Sequence, residues 1–256
     1  MMNNKRGNYA RHAAIWDCEG RDRSDVIDFY SGLTEKYGHK VLCLMCAVGT
    51  IACGMAEKGF FVTAVDIEPE MIAAAKKINA GVTNPLFQVG DVTELDLSEK
   101  DFNFAFIGGS ADFHHLLSKE EMLKALSCIY NHLTDEGCLA IELEYPADES
   151  WHSPRQRFDL AIPPETEIKA WKYGETSYDA GTMRMHINQE VFIEENGEVD
   201  SFFHEFDLQL VSRKTVEILM KKAGFQVIKE YGGYDFSEWY HGSDKWLLEI
   251  LKVKKQ

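Results

Sequence analysis

At 256 residues, 45% of them hydrophobic, the chain holds enough apolar material for one large core, or for one core with a sizeable insertion. Its 42 acidic against 27 basic side chains leave a formal charge of -15, which repels a phosphate backbone unless the basic residues gather on one face. They do not: the dense basic run is Lys252, Lys254 and Lys255, and no stretch reaches the ~20 apolar residues of a membrane span.

Along the chain, Asp22 to Tyr37 carries Val26, Ile27, Phe29, Tyr30 and Leu33 on a helical period before a Gly38 stop. A strand over Lys40 to Met45 is followed by a short helix, Thr50 to Lys58, and a second strand, Phe60 to Val65. Pro69, suited to a first helical turn, opens a helix reaching Asn79. Leu86–Val89, Phe102–Ile107 and Gly137–Leu143 read as further strands, with a long helix from Lys119 to Leu133 between the last two.

The rhythm changes after Tyr145-Pro146. Three long extended runs, TEIKAWKY, TMRMHINQEVFIEE and EVDSFFHEFDLQLV, replace it, and Asn196-Gly197 between the last two is a hairpin signal, because both residues accept positive φ. A helix over Arg213 to Ala223, a strand in FQVIKEYG and a last strand over Lys245 to Val253 restore the alternation. The expected fold is α/β: a doubly wound, mostly parallel seven-stranded, Rossmann-like sheet with an antiparallel β insertion. The expected organisation is an N-terminal helical lid over 1–38, a core over 39–148 and 212–256, and the insertion over 149–211.

The segment MMNNKRGNYARHAAIWD lacks the apolar centre of a signal peptide, so a cytoplasmic protein is expected. Cys43 and Cys46 form a C-x-x-C, but no second such pair or His pair stands at zinc spacing. Packed, reduced thiols are the expectation, and no metal.

Ligands in an open α/β sheet bind beyond the carboxyl ends of the strands. Four such ends carry chemistry here. Ala47 and Gly49 would let a ligand approach the backbone after strand one, and Asp66 at the end of strand two can accept from both hydroxyls of a ribose. Asp91, in Gly90-Asp91-Val92 after strand three, can accept from an adenine amino group. Gly108, in IGGSADFHHLL after strand four, permits close approach beneath a reactive centre.

Taken together, VLCLMCAVG, VTAVDIEPEM, Gly90-Asp91 and LTDEGCLAIELE resemble the motifs of class I S-adenosylmethionine-dependent methyltransferases, small-molecule branch, with a degenerate first glycine motif. The resemblance implies S-adenosylmethionine as cofactor. It assigns the ribose to Asp66, the adenine to Ile67 and Met71, and the amino edge to Asp91 and Val92. Cys46, Ala47 and Gly49 would line the methionine moiety, and Tyr9 would reach over the cofactor as a lid.

Two departures stand out. Cys43 replaces the acid that orders the cofactor's ammonium group in that family, and Met45 replaces a glycine. Losing one charge-assisted hydrogen bond costs about 1.5–3 kcal/mol, so the chain is expected to bind its cofactor weakly or to compensate elsewhere. Glu142 and Glu144 cannot be assigned that part from sequence.

Methyl transfer from a sulfonium needs alignment above all, and a base only where the acceptor must lose a proton. His114 and His115, after strand four, are the candidate bases. Trp16, Trp151, Trp171, Tyr145, Tyr178, Tyr234 and Trp239 fall in segments expected to border an apolar, aromatic or cationic acceptor. The expected function is methylation of an oxygen, nitrogen or sulfur atom of a small molecule, with no nucleic-acid or membrane partner. A homodimer through the β insertion is compatible with it. The competing reading is a non-catalytic module that keeps the fold and has lost its cofactor. A nicotinamide dehydrogenase is disfavoured, because Met45 to Thr50 supplies one glycine where G-x-G-x-x-G needs three.

Overall fold

The structure is a computed structural model that describes residues 13, 15, 22–109, 111–160 and 168–254. The elements are α1 (Ser24–Tyr37), β1 (Lys40–Leu44), α2 (Thr50–Glu57), β2 (Phe61–Asp66), α3 (Pro69–Ile78), β3 (Leu86–Val89) and β4 (Phe102–Ile107). A 3₁₀ turn over Asp112–His115 leads to α4 (Lys119–His132) and β5 (Leu133–Leu143). Then come β6 (Trp151–Asp159), β7 (Lys169–Asp179), β8 (Arg184–Glu195), β9 (Glu198–Gln209), α5 (Arg213–Ala223), β10 (Phe225–Tyr231) and β11 (Trp246–Lys252).

Seven strands form one sheet in the order β10-β11-β5-β4-β1-β2-β3. All its pairings are parallel except those of β11, which runs antiparallel to both neighbours. The chain enters at β1 and winds outward first through β2 and β3, then back past β1 to β4 and β5. The topological switch therefore lies between β1 and β4, where a ligand crevice opens.

The central strands are apolar on both faces because each face is covered. Val41 and Cys43 of β1, with Phe104 and Phe106 of β4, pack against α1, α2 and α3 in one core. Leu42 and Leu44, with Ala105 and Ile107, pack against α4 and α5 in the other. This is the period-2 alternation of a strand buried on both sides. The helix α1, expected within a lid, is instead a core layer: Phe29, Tyr30 and Leu33 are buried under the sheet.

The second sheet is antiparallel, in the order β6-β7-β8-β9. Its β8–β9 turn is Asn196-Gly197, both at positive φ (53° and 82°), as the hairpin signal requires. The edge strand β6 was not expected. Pro154 interrupts its polar sequence, and the register shifts between Ser153 and Gln156, which an edge tolerates. Of the N-terminal segment, Ile15 packs on Val191 and Phe202 of this sheet, and Ala13 packs on Val48 and Met71 of the larger body.

Candidate functional site

A cavity of about 270 Å³ lies at the carboxyl ends of β1 to β4. Its wall includes Met45 and Ala47 after β1, Asp66, Ile67 and Met71 after β2, and Asp91 and Val92 after β3. Ala111, Asp112 and His115 come from the 3₁₀ turn after β4, and Phe206 and Asp207 come from β9 of the antiparallel sheet.

The loop after β1 has the backbone of a glycine loop without its glycines. Met45 (φ 55°), Ala47 (φ 48°) and Gly49 (φ 84°) all take the left-handed conformation, which costs a non-glycine residue about 1–2 kcal/mol. Hydrogen bonds hold it there: Cys46 N–H donates to Val65 O (3.0 Å), and Ala47 N–H donates to Oδ2 of Asp66 (2.7 Å). Met45 packs against the α4–α5 core from the cavity wall, and the cavity stays open beside it.

Asp66 is buried at the end of β2, and its Oδ1 accepts from Glu68 N–H at 3.0 Å. Desolvation pushes its carboxyl above the ordinary value, and the N–H groups of Glu68 and Ala47 oppose that rise. With Ile67 N–H donating as well, the carboxylate keeps one lone-pair position for a ligand hydroxyl. Asp91 accepts at Oδ1 from the N–H (2.8 Å) and hydroxyl (2.7 Å) of Thr93, a local turn that fixes its carboxylate at the wall. Gly90 is required for the packing there, since a side chain would meet Val65 at 2.9 Å.

Sequence reading did not single out Asp112. It is half-buried, and desolvation, with Asp66 and Glu142 nearby, lifts its carboxyl to about 7, while Arg23 opposes. Glu142 is fully buried and already engaged, accepting from Lys245 Nζ (2.9 Å) and from the Tyr234 hydroxyl (2.6 Å).

The two candidate bases part company. His114 is buried with both ring nitrogens on backbone groups: Nδ1 donates to Gln209 O (2.9 Å) and Nε2 accepts from Glu144 N–H (2.9 Å). Burial lowers its pKa to about 4. It is a neutral pin joining the 3₁₀ turn to β9 and β5, with no nitrogen left for an acceptor. His115 lines the cavity, its ring 5.2 Å from that of Phe206, and burial lowers its pKa to about 4 as well.

Other expected contacts lie elsewhere. Cys46, Gly49 and Gly108 do not wall the cavity: Cys46 packs on the α1–α3 core, Gly49 backs onto the Phe87 ring, and Gly108 lies between the Phe106 and Tyr30 rings. Tyr9 and Trp16 lie outside the described residues. The aromatic residues form separate groups rather than one wall. Tyr145 meets Trp239 and Trp246, Trp151 stacks on Tyr178, and Trp171 stacks on Phe192. Among the described residues no group of side chains could hold a metal ion, and Cys43 is a buried free thiol.

The donor set suits S-adenosylmethionine. That molecule carries a sulfonium and an ammonium cation on an adenosine, and the cavity wall sets the carboxyls of Asp66, Asp91, Asp112 and Asp207, with Glu68 and Glu121, among apolar side chains. Deep in the same body, the Tyr30 hydroxyl is buried with no hydrogen-bond partner, a polar atom that a ligand could satisfy.

Comparisons with known proteins agree. Residues 41–137 match the family described as methyltransferase domain. The methyltransferase-named protein YqeM of Bacillus subtilis (strain 168) is 23% identical over 216 residues, 84% of this chain and 85% of its own. The sugar N-methyltransferase KedS8 from Streptoalloteichus sp ATCC 53650 superposes with a TM-score of 0.77 at 14% identity, covering 100% of this chain and 96% of its own. CalS10, an amino pentose methyltransferase from Micromonospora echinaspora solved with S-adenosylmethionine bound, gives 0.71 at 16%, covering 95% and 97%. Residues 41–137 thus match a methyltransferase domain, in a chain that shares the Rossmann-like fold of the solved methyltransferases around an acid-lined cavity.

Proposed function

We propose that the enzyme methylates an oxygen, nitrogen or sulfur atom of a small molecule held beneath the antiparallel sheet. The observation that carries this reading is a single cavity walled by the strand ends of one sheet and by Phe206 and Asp207 of the other. A site roofed in this way suits a compact acceptor better than a polymer chain. Two fold neighbours of nearly equal length are a sugar N-methyltransferase and an amino pentose methyltransferase, which supports an acceptor of that size. The acidic chain, with no described helix long and apolar enough to cross a membrane, supports a cytoplasmic enzyme without nucleic-acid or membrane partners.

In this reading Asp66 holds the ribose hydroxyls, Ile67 and Met71 flank the adenine, and Asp91 with Val92 meets its amino edge. Ala47 borders the methionine moiety. When bound, S-adenosylmethionine supplies an electrophilic methyl group on sulfur. The chain aligns the acceptor, excludes water and, through a neutral His115, accepts a hydrogen bond or a proton from it. His114 keeps its structural part.

Calorimetric titration with S-adenosylhomocysteine tests the reading. Binding to the native protein, weakened at least tenfold in Asp66→Ala, is expected, whereas no heat at millimolar ligand would sink it. Release of S-adenosylhomocysteine across a panel of amino and hydroxy sugars then identifies the acceptor class.

A further inference from the structure

Four aspartates wall the cavity, and three are held by this chain's own donors. Asp66 accepts from Ala47 and Glu68, Asp91 from Thr93, and Asp207 pairs with His186 and Arg184. Among the described residues, nothing donates to the carboxyl of Asp112. Its position is nonetheless built. Asp112 N–H closes a turn onto Gly109 O (3.1 Å), and a side chain at Gly109 would sit 2.4–3.0 Å from the Asp112 carboxyl atoms, so the bare glycine leaves that carboxyl its place.

A second, independent observation marks the same corner. The Tyr30 hydroxyl is fully buried and unpartnered, and its electrostatic neighbours are Glu142, Tyr234, Asp112 and Cys43. Cys43 is in turn a neighbour of Asp112 and Asp66. At this end of β1 and β4, Asp112 on the cavity wall is an acceptor without a donor, and the Tyr30 hydroxyl, on a ring packed beside Gly108 and off that wall, has no partner. A ligand group that brings N–H donors and positive charge completes both.

We propose that Asp112 and Tyr30 hold the cationic amino-acid end of S-adenosylmethionine, and that Asp112 supplies from the turn after β4 the carboxylate that Cys43 does not supply from β1. This rests on the methyltransferase reading of the cavity. Glu142 is excluded from the part because Lys245 and Tyr234 already occupy it. The ammonium would sit against Asp112, with the Tyr30 hydroxyl as second partner.

The test compares two ligands that differ at this end alone. S-adenosylhomocysteine keeps the amino-acid moiety, and 5′-methylthioadenosine replaces it with a methyl group. Both are titrated calorimetrically at pH 8 against the native protein, Asp112→Asn and Asp66→Ala. Asp112→Asn is expected to weaken S-adenosylhomocysteine about ten- to a hundredfold, the loss of one charge-assisted hydrogen bond, and to leave 5′-methylthioadenosine unchanged. Asp66→Ala is expected to weaken both. The proposal is overturned if Asp112→Asn leaves S-adenosylhomocysteine binding intact or weakens the two ligands equally. If the native protein binds neither ligand, the cofactor reading fails first. If it binds 5′-methylthioadenosine alone, the adenosine site stands and only the amino-acid site falls.

Discussion

Ala47 N–H donates to Oδ2 of Asp66 at 2.7 Å, so the residue expected to hold the cofactor's ribose also holds the loop that should lie beneath the cofactor. That bond helps Ala47 keep a φ of 48°, which glycine would adopt freely. Left-handed alanine costs about 1–2 kcal/mol, and glycine returns about 0.4–1 kcal/mol of that through a more flexible unfolded chain. Ala47→Gly should therefore stabilise the protein by up to about 1 kcal/mol. A urea midpoint that falls would show that Ala47 makes contacts worth more than the strain.

Asp66 is expected to be more costly to change. Asp66→Asn turns one of its two accepting oxygens into a donor, which leaves the N–H of either Ala47 or Glu68 facing another N–H. A buried donor left unmatched costs about 1–3 kcal/mol, and the loop after β1 is the part released. Denaturant unfolding should show that loss, and S-adenosylhomocysteine affinity should drop at least tenfold with it. A variant of native stability and native affinity would remove Asp66 from both roles.

The sheet was legible because its strands are short apolar runs between helix signals, and Asn196-Gly197 announced the β8–β9 hairpin. The edge strand β6 was not, since SPRQR has neither apolar alternation nor a clean ladder. At the cavity, Asp66 and Asp91 could be named as candidates because one ends a recognisable strand and the other follows one. His114 misled because its partners, Gln209 O and Glu144 N–H, lie 95 and 30 residues away. Asp112, within IGGSADFHHLL, was not singled out. Only folding, by placing it beside Asp66 and Glu142 and away from water, gives it a separate meaning. Likewise Tyr30 was one more apolar beat of α1, and its unpartnered hydroxyl is a three-dimensional fact.

Acid should draw stability from the fold through the imidazoles of His114 and His115. His114 and His115 titrate near 4 in the folded chain against an ordinary 6.5. Between those values the unfolded chain takes up protons that the folded one refuses, so stability complete above pH 6.5 is lost as pH falls toward 4. Asp112 opposes this, because its folded value of about 7 against 3.8 makes the folded chain the better proton binder in that window. Asp66, whose carboxyl is also raised, acts in the same direction as Asp112, so the imidazole contribution is read from a variant rather than from the net slope. His115→Gln should flatten the slope of unfolding free energy between pH 4.5 and 6.5 by about 1.4 kcal/mol per pH unit at most, the value for one proton. An unchanged slope would mean that His115 keeps its ordinary pKa.

Tyr30→Phe separates stability from binding, because it should move them in opposite directions. The phenyl ring retains the stack on Phe106, at 4.5 Å between centroids, and the edge contact with Phe29, so packing is preserved. The hydroxyl removed is one that burial strips of water and that nothing in the free protein repays. Removing an unsatisfied buried polar group should raise the stability of the ligand-free protein by about 1 kcal/mol or more. With S-adenosylhomocysteine present, the same variant should lose affinity, so that the ligand-induced rise in melting temperature shrinks although the starting temperature is higher. Free stability that falls in Tyr30→Phe would mean that the hydroxyl already has a partner, such as a trapped water, in the free protein.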